Sequence, residues 1–212
     1  MSKVNNPYLP QLATVTTIIE ETPTIKSFQV ILNDAEKMKH FSFHPGQVGQ
    51  LSIFGVGEAT FVINSPPTRM DYLQFSVMKA GEITSALHEL TEGDQVGVRA
   101  PLGNWFPYEA MKGKRILFIG GGIGLAPLRT LILFMLDNRD EYDDITIIYG
   151  ARTPPDLCYK DELQEFCHSD RKGTPFINTR RLDPISRLWH SGIADLLVGG
   201  GGEDRRRNDG MV

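Results

Sequence analysis

Between Lys114 and Leu136 the chain reads KRILFIGGGIGLAPLRTLILFML, and Gly120, Gly121, Gly122 and Gly124 are the residues whose type and spacing point most directly to chemistry. Lacking side chains, they let a ligand or a neighbouring element come close at a sharp turn. From Leu125 the residues are strong helix formers, and Pro127 fits only in the first turn, where a missing N–H costs no hydrogen bond. A helix that starts beside such a loop turns its free N–H groups and positive dipole end toward whatever the glycines admit, which favours a phosphate or pyrophosphate. The spacing is not G-x-G-x-x-G in any register, because the third glycine's place holds Leu125 when counted from Gly120 and Pro127 when counted from Gly122. A plain structural turn is the competing reading.

A second spot of the same kind lies at GEITSALHEL, Gly81 to Leu90. There Thr84 or Ser85 is placed to cap a short helix carrying Ala86, Leu87 and Leu90, so a hydroxyl and free backbone donors coincide. It reads either as an anion site or as a simple cap. Arg152 follows an apolar strand at the edge where open parallel sheets bind ligands, and reads equally as a phosphate partner or as an ordinary exposed arginine. His44, His88 and Glu89 read as structural or solvent-exposed, so no side chain is nominated as catalytic. Cys158 and Cys167 have no His or Cys companions at metal spacing and read as ordinary buried thiols, so no metal ligand is nominated.

The elements that must position these spots fall into two kinds. Ala13–Glu20, Thr24–Leu32, Leu51–Phe54, Phe61–Ile63, Leu73–Lys79 and Gln95–Arg99 read as six short strands, with turns at Pro45-Gly46, Gly55–Glu58 and Glu92–Asp94. Pro101 is expected to end the sixth strand. This pattern with one small helix predicts a closed or nearly closed antiparallel barrel. Beyond Met111–Lys114 the order becomes strand Ile116–Ile119, glycine loop, helix Leu125 to about Asp137 and strand Ile145–Tyr149, a βαβ unit of an α/β domain. The first of these strands lacks alternation and is expected to be covered on both faces. Tyr159–Phe166 reads as a further helix.

The chain has 212 residues, 41% of them apolar, which is enough for a real core. A net charge of −4, with no Lys/Arg stripe before residue 171, gives no reason to expect nucleic acid. MSKVNNPYLPQ lacks the apolar centre of a signal peptide and no stretch is long and apolar enough for a membrane span, so the sequence reads as cytoplasmic.

Several motifs in order then resemble one family. HPGQ at His44–Gln47, GEATFVINSPP at Gly57–Pro67, GEITSAL at Gly81–Leu87, EGDQVGVRAPLG at Glu92–Gly103, GGGIGLAPL at Gly120–Leu128 and YGAR at Tyr149–Arg152 resemble the ferredoxin–NADP reductase superfamily. Within it they are most similar to the FAD- and NAD(P)-binding subunits of anaerobic hydrogenase, sulfite reductase and heterodisulfide reductase complexes, with the electron-transfer subunit of dihydroorotate dehydrogenase as a cousin. The resemblance implies that Phe61, Ile63, Asn64 and Ser65 hold the isoalloxazine ring and ribityl chain of FAD, and that Gly81, Ile83, Thr84 and Ser85 form the flavin-pyrophosphate turn. It implies that Gly121, Gly122, Gly124, Ala126 and Pro127 receive NAD(P)H, with Ala151 and Arg152 near its ribose or phosphate.

Two departures stand against the family pattern. Ala59 and Val62 fill the places of the arginine that usually meets flavin phosphate and the serine that usually meets the ring. The [2Fe–2S] cluster of the anaerobic subunits has no ligand cysteines here. From Arg171 to Val212 Lys and Arg outnumber Asp and Glu by 8 to 5, against 14 to 21 before it, so the composition changes where the motifs stop. The sequence thus divides into a barrel at 1–110, the first part of a nucleotide-binding α/β domain at 111–170, and an atypical tail at 171–212, either altered by a shifted frame or truncation or a true variant, with one apolar run at Ile193–Val198.

The resemblance implies a flavin-dependent NAD(P)H oxidoreductase subunit that moves a hydride between nicotinamide and FAD and passes electrons to iron–sulfur reductase or hydrogenase subunits. NAD(H) is the favoured dinucleotide. The alternative is a non-catalytic binding or assembly subunit of the same kind of complex, and a solitary oxygenase reductase is a third class.

Overall fold

The computed structural model describes Asn6, Tyr8–Leu163 and the backbone of Phe176–Ile177. Six antiparallel strands, β1 (Gln11–Thr22), β2 (Ile25–Leu32), β3 (Val48–Ile53), β4 (Gly57–Val62), β5 (Leu73–Met78) and β6 (Gln95–Leu102), form a sheet in the order β4-β3-β6-β1-β2-β5. The end strands meet where the Asn64 N–H donates to the Gln74 carbonyl at 2.9 Å, which closes the sheet into a barrel. Alternation does what the sequence predicts: Ala13, Val15, Phe28, Val30, Leu51, Phe75, Val77, Val96 and Val98 point inward and are buried.

Two helices lie beside the strands, α1 (Ala35–Lys39) and α2 (Glu82–His88). The first was not anticipated in the polar interval after β2, although Asp34 supplies a cap there by accepting from the Lys37 N–H at 3.2 Å. β6 also runs on past Pro101 instead of stopping before it. Its pairing with β1 ends at Val98, so Pro101 has a neighbour on one side only and its missing donor leaves no ladder bond unmade.

The second part contains β7 (Ile116–Gly121), α3 (Leu125–Asp137), β8 (Ile145–Gly150) and the short β9 (Phe176–Ile177), with β7 and β9 parallel to β8 on either side of it. Phe118, Leu131, Ile132, Met135, Ile145, Ile147 and Tyr149 are buried in its core. β7 is covered on one face rather than two: Phe118 is 5% exposed, whereas Leu117 and Ile119 on the other face are 38% and 60% exposed among the described residues. Residues 160–163 are helical, and the rest of the helix expected through Phe166, together with Cys167 and the run Ile193–Val198, lies outside the described residues. Among the described residues no helix is long and apolar enough to cross a membrane.

Candidate functional site

The parallel register pairs Gly121 with Gly150, so β7 and β8 reach the same sheet edge together, and a 3-10 turn over Gly122–Gly124 leads directly into α3. Gly122 has φ +51°, which explains its glycine. Gly121 (φ −135°) and Gly124 (φ −61°) do not need one for backbone reasons. Among the described residues, a Cβ on Gly124 would meet no heavy atom within 4 Å, and one on Gly121 would meet only the Gly150 carbonyl, at 4.0 Å. Neither the fold nor its packing therefore asks for glycine at these two positions, which leaves access from outside. Gly120 differs, since a Cβ there would lie 3.4 Å from Leu125.

The loop is pinned from beneath. The Tyr149 hydroxyl donates to the Gly122 carbonyl at 2.9 Å and accepts from the Cys158 N–H at 3.0 Å, with the Tyr149 side chain fully buried. Burial pushes the Tyr149 phenol up from its ordinary value and the Cys158 thiol up to about 11, so both rest in their neutral forms and neither is poised as a nucleophile or base. Ala126 is buried and Pro127 half-buried in the first turn of α3, while Arg152 is exposed two residues past β8. Asp156, the acid nearest to it along the chain, accepts from the Thr153 N–H and hydroxyl at 3.2 and 2.8 Å.

On the barrel side, a Cβ on Gly57 would lie 3.1 Å from Ile83, so α2 begins over the face of β4 that carries Gly57, Ala59 and Phe61. Phe61 is half-buried against the barrel core. Thr84 and Ser85 do not cap α2, whose cap is Gly81. Thr84 instead folds back, its Oγ1 accepting from the Ala80 and Gly81 N–H groups at 2.8 Å each, while the Ser85 N–H donates to the Gly81 carbonyl at 2.8 Å. Gly81 is extended and a Cβ on it would also meet nothing within 4 Å.

Among the described residues, neither Arg99 nor Lys79 replaces the arginine absent at Ala59. Arg99 pairs with Gln50, whose partner on β4 is Thr60, which puts it on the opposite face from Ala59, hydrogen-bonded to Gln50 and to Glu58 at 2.8 Å. Lys79 pairs with Glu89 at 3.2 Å.

Ile63, Asn64 and Ser65 lie deeper than the resemblance implies, with all three side chains fully buried. The Asn64 amide sits among Gln74, Ser76 and Tyr159; with Nδ2 donating to the Gln74 carbonyl at 2.9 Å, Oδ1 accepts from the Tyr159 hydroxyl at 3.0 Å and from Ser76. Tyr159 also reaches Ser76 at 2.7 Å, Ser76 meets Ser27 at 2.6 Å, and the Ser27 hydroxyl and Tyr159 N–H donate to the two oxygens of Glu21, each at 2.7 Å. Ser65 Oγ accepts from the Gln74 N–H at 3.2 Å.

α3 holds the same segment. Arg129, 5% exposed, donates through Nη1 to the Asn64 carbonyl at 2.5 Å and through Nε and Nη2 to the Glu162 carboxylate, and its guanidinium lies 5.1 Å from the centre of the Tyr159 ring. Burial works against its charge, but the hydrogen bonds it donates to Glu162 and the attraction of the charges around it together outweigh that and hold its pKa above the ordinary arginine value. Thr130 Oγ1 donates to the Ser65 carbonyl at 2.8 Å, and Asp137 at the far end of the helix accepts from Thr68 and Arg69. Sequence reasoning missed Arg129, Thr130, Tyr149 and Glu162. The available signal was a single cation in an otherwise apolar helix, a residue that must find a buried acid.

The sequence pattern of a family described as Oxidoreductase NAD-binding domain matches residues 118–189, reaching past the motifs that end at Arg152. The chain is 40% identical over 160 residues to the sulfhydrogenase 1 subunit gamma of Pyrococcus furiosus, covering 76% of this chain and 55% of that one. It is 37% identical over 170 residues to a probable dihydroorotate dehydrogenase B (NAD(+)), electron transfer subunit, of Methanocaldococcus jannaschii, covering 76% and 57%. The chain thus spans little more than half the length of these relatives. Its fold matches a ferredoxin NADP+ reductase from Neisseria gonorrhoeae with bound FAD and NADP, at TM-score 0.70 and 18% identity over 88% of this chain and 78% of that one. The barrel, the glycine turn at the edge of a parallel sheet and these likenesses agree: the chain carries an oxidoreductase NAD-binding domain, is similar to hydrogenase and dehydrogenase electron-transfer subunits, and has the fold of the ferredoxin–NADP+ reductases.

Proposed function

We propose that this chain is the flavin-bearing subunit of an NAD(P)H oxidoreductase, with FAD along β4 and the start of α2 and the dinucleotide at the loop between β7 and α3. The observation that carries the reading is the triplet Gly81, Gly121 and Gly124, three glycines that the protein itself does not require and that stand at the two turns where phosphates would lie. The residues present fit such groups. Phe61 offers a flat surface without a hydroxyl, Gly81, Ile83, Thr84 and Ser85 form the turn beside it, and Gly121–Gly124, Ala126 and Pro127 open the second turn, with Arg152 free to meet a phosphate. Ile63, Asn64 and Ser65 support that surface from behind.

Bound there, the coenzymes supply hydride transfer and one-electron chemistry, and the protein supplies placement and electrostatics. In this reading no side-chain acid or base takes part, consistent with the neutral, buried Tyr149, Cys158 and Tyr159. Electrons pass on to an iron–sulfur partner, a reading that the hydrogenase-subunit and electron-transfer-subunit names of the relatives support. An absorbance spectrum of the FAD-reconstituted chain before and after anaerobic NADH or NADPH tests this. Bleaching of the flavin band is expected, and a folded chain that neither keeps flavin nor bleaches overturns it.

Gly124→Ala is the sharper probe. Its αR backbone and empty surroundings predict an unchanged melting temperature, while dinucleotide affinity falls about tenfold or more if a phosphate approaches that atom.

A second reading, a binding or assembly subunit that does not turn over, is favoured by Ala59 and Val62 and by Lys79 and Arg99 being paired with Glu89 and Glu58. Co-purification with a redox partner while the flavin stays oxidised under NADH would support it.

A further inference from the structure

We propose that Arg129 is a positioning residue for hydride transfer, one that sets the placement of the glycine turn against the β4 exit. This rests on the function proposed above. α3 begins at the turn, and one helical turn later two consecutive residues, Arg129 and Thr130, donate to two consecutive carbonyls, Asn64 and Ser65, directly beyond Val62 at the end of β4. The face is continued at Asp137, which holds Thr68 and Arg69 of the same loop. One helix is therefore fastened along its length to the peptide that leaves the flavin-side strand.

The fastening has fixed geometry. Arg129 is nearly fully buried, and its planar fork meets Glu162 at two points and Asn64 at a third while lying over the Tyr159 ring. Tyr159 in turn reaches Ser76 of β5 and the Asn64 side chain, so helix, loop and barrel close a ring of contacts around the guanidinium. A lysine retains the charge and most of the length but has no fork, and can satisfy at most part of this arrangement. Because transfer between two bound rings depends steeply on their separation and angle, a slackened clamp lowers the rate without removing any group that touches either coenzyme.

The test compares Arg129→Lys and Thr130→Val with the wild-type full chain reconstituted with FAD. For Arg129→Lys, affinities for FAD and reduced dinucleotide stay within about threefold, while flavin bleaching at saturating dinucleotide in a stopped-flow instrument slows about tenfold or more. In the flavin-free protein, amide exchange quickens in residues 62–70 and not in β1–β3, a readout independent of turnover. Thr130→Val, which removes a single hydroxyl, shifts both readouts the same way by a smaller amount and decides the matter if Arg129→Lys does not fold. Wild-type bleaching rates in the variants, or exchange that quickens evenly across the whole chain, would show a general stabilising role and overturn the proposal. A wild-type chain that never bleaches overturns the functional reading along with it, whereas a wild type that bleaches beside variants that do so equally fast overturns this inference alone.

Discussion

The Tyr149 hydroxyl and the Gly122 carbonyl, 2.9 Å apart, join the end of strand β8 to the one glycine of the β7–α3 loop with a positive φ. The same oxygen takes the Cys158 N–H, so a single buried phenol satisfies the glycine turn on one side and the segment after β8 on the other. The glycine turn is thereby anchored from the side of the buried core.

Tyr149→Phe should leave the Gly122 carbonyl and the Cys158 N–H without this partner while filling nearly the same volume. Two buried groups left unmatched cost about 1–3 kcal/mol each, so a loss of about 2–6 kcal/mol in urea unfolding is expected. Dinucleotide affinity should fall with it and flavin affinity should not, because the pinned loop lies on the α/β side. Equal loss of both ligands would argue against a local role.

Thr84 gives a prediction for the other turn. Its Oγ1 accepts from two successive N–H groups, Ala80 and Gly81, and its proton goes to the Gly81 carbonyl at 3.0 Å. Thr84→Val keeps the shape and loses all three bonds, whereas Thr84→Ser keeps the hydroxyl. Flavin retention on gel filtration should fall about tenfold or more for valine and stay near wild type for serine, since a turn with unfixed donors binds an anion less well.

How much of this could be read in advance follows from the kind of signal each feature leaves. Phe28, Val30, Phe75 and Val77 alternate with polar neighbours and so reveal themselves, even though Ser27, Gln74 and Ser76 on the other face of β2 and β5 are buried as well. Ile116–Ile119 carry no alternation, and the sequence alone reads that as burial on both faces, whereas Leu117 and Ile119 are exposed among the described residues. Pro101 was read as a strand end because one sequence does not show that β6 has lost a neighbour there. The motifs mark Gly57–Pro67 and Gly120–Leu128 but not the partners of Asn64 and Ser65. Three of those partners, Arg129, Thr130 and Tyr159, lie 65 to 95 residues away along the chain, and no local pattern encodes such a meeting.

Alkaline stability follows from the buried thiol and phenols. Cys158 is held at about 11 against an ordinary 9.0, and burial also raises Tyr149 and Tyr159, so the folded state keeps protons that the unfolded chain gives up. Stability is therefore fully present below pH 9 and is lost as pH rises through 11, with about 2–3 kcal/mol of the loss from Cys158. Melting temperature measured from pH 7 to 11 should fall in that window, and Cys158→Ala should flatten part of the fall. A flat profile to pH 11 in the wild type would show that these groups are not held as described.

Ala59 provides the most direct handle on the flavin side. It shares with Gly57 and Phe61 the face over which α2 begins, and neither Arg99 nor Lys79 brings an unpaired charge to that face. Ala59→Arg adds a cation where the family pattern has one, and a charge-assisted hydrogen bond to phosphate of about 1.5–3 kcal/mol corresponds to a gain in FAD affinity of about tenfold or more. The gain should shrink with added salt, because the site is close to solvent, whereas wild-type affinity should change little over the same range. Titration of the flavin-free protein at low and high ionic strength measures both. An arginine variant that binds FAD no better at low salt would mean that the phosphates lie elsewhere than beside β4.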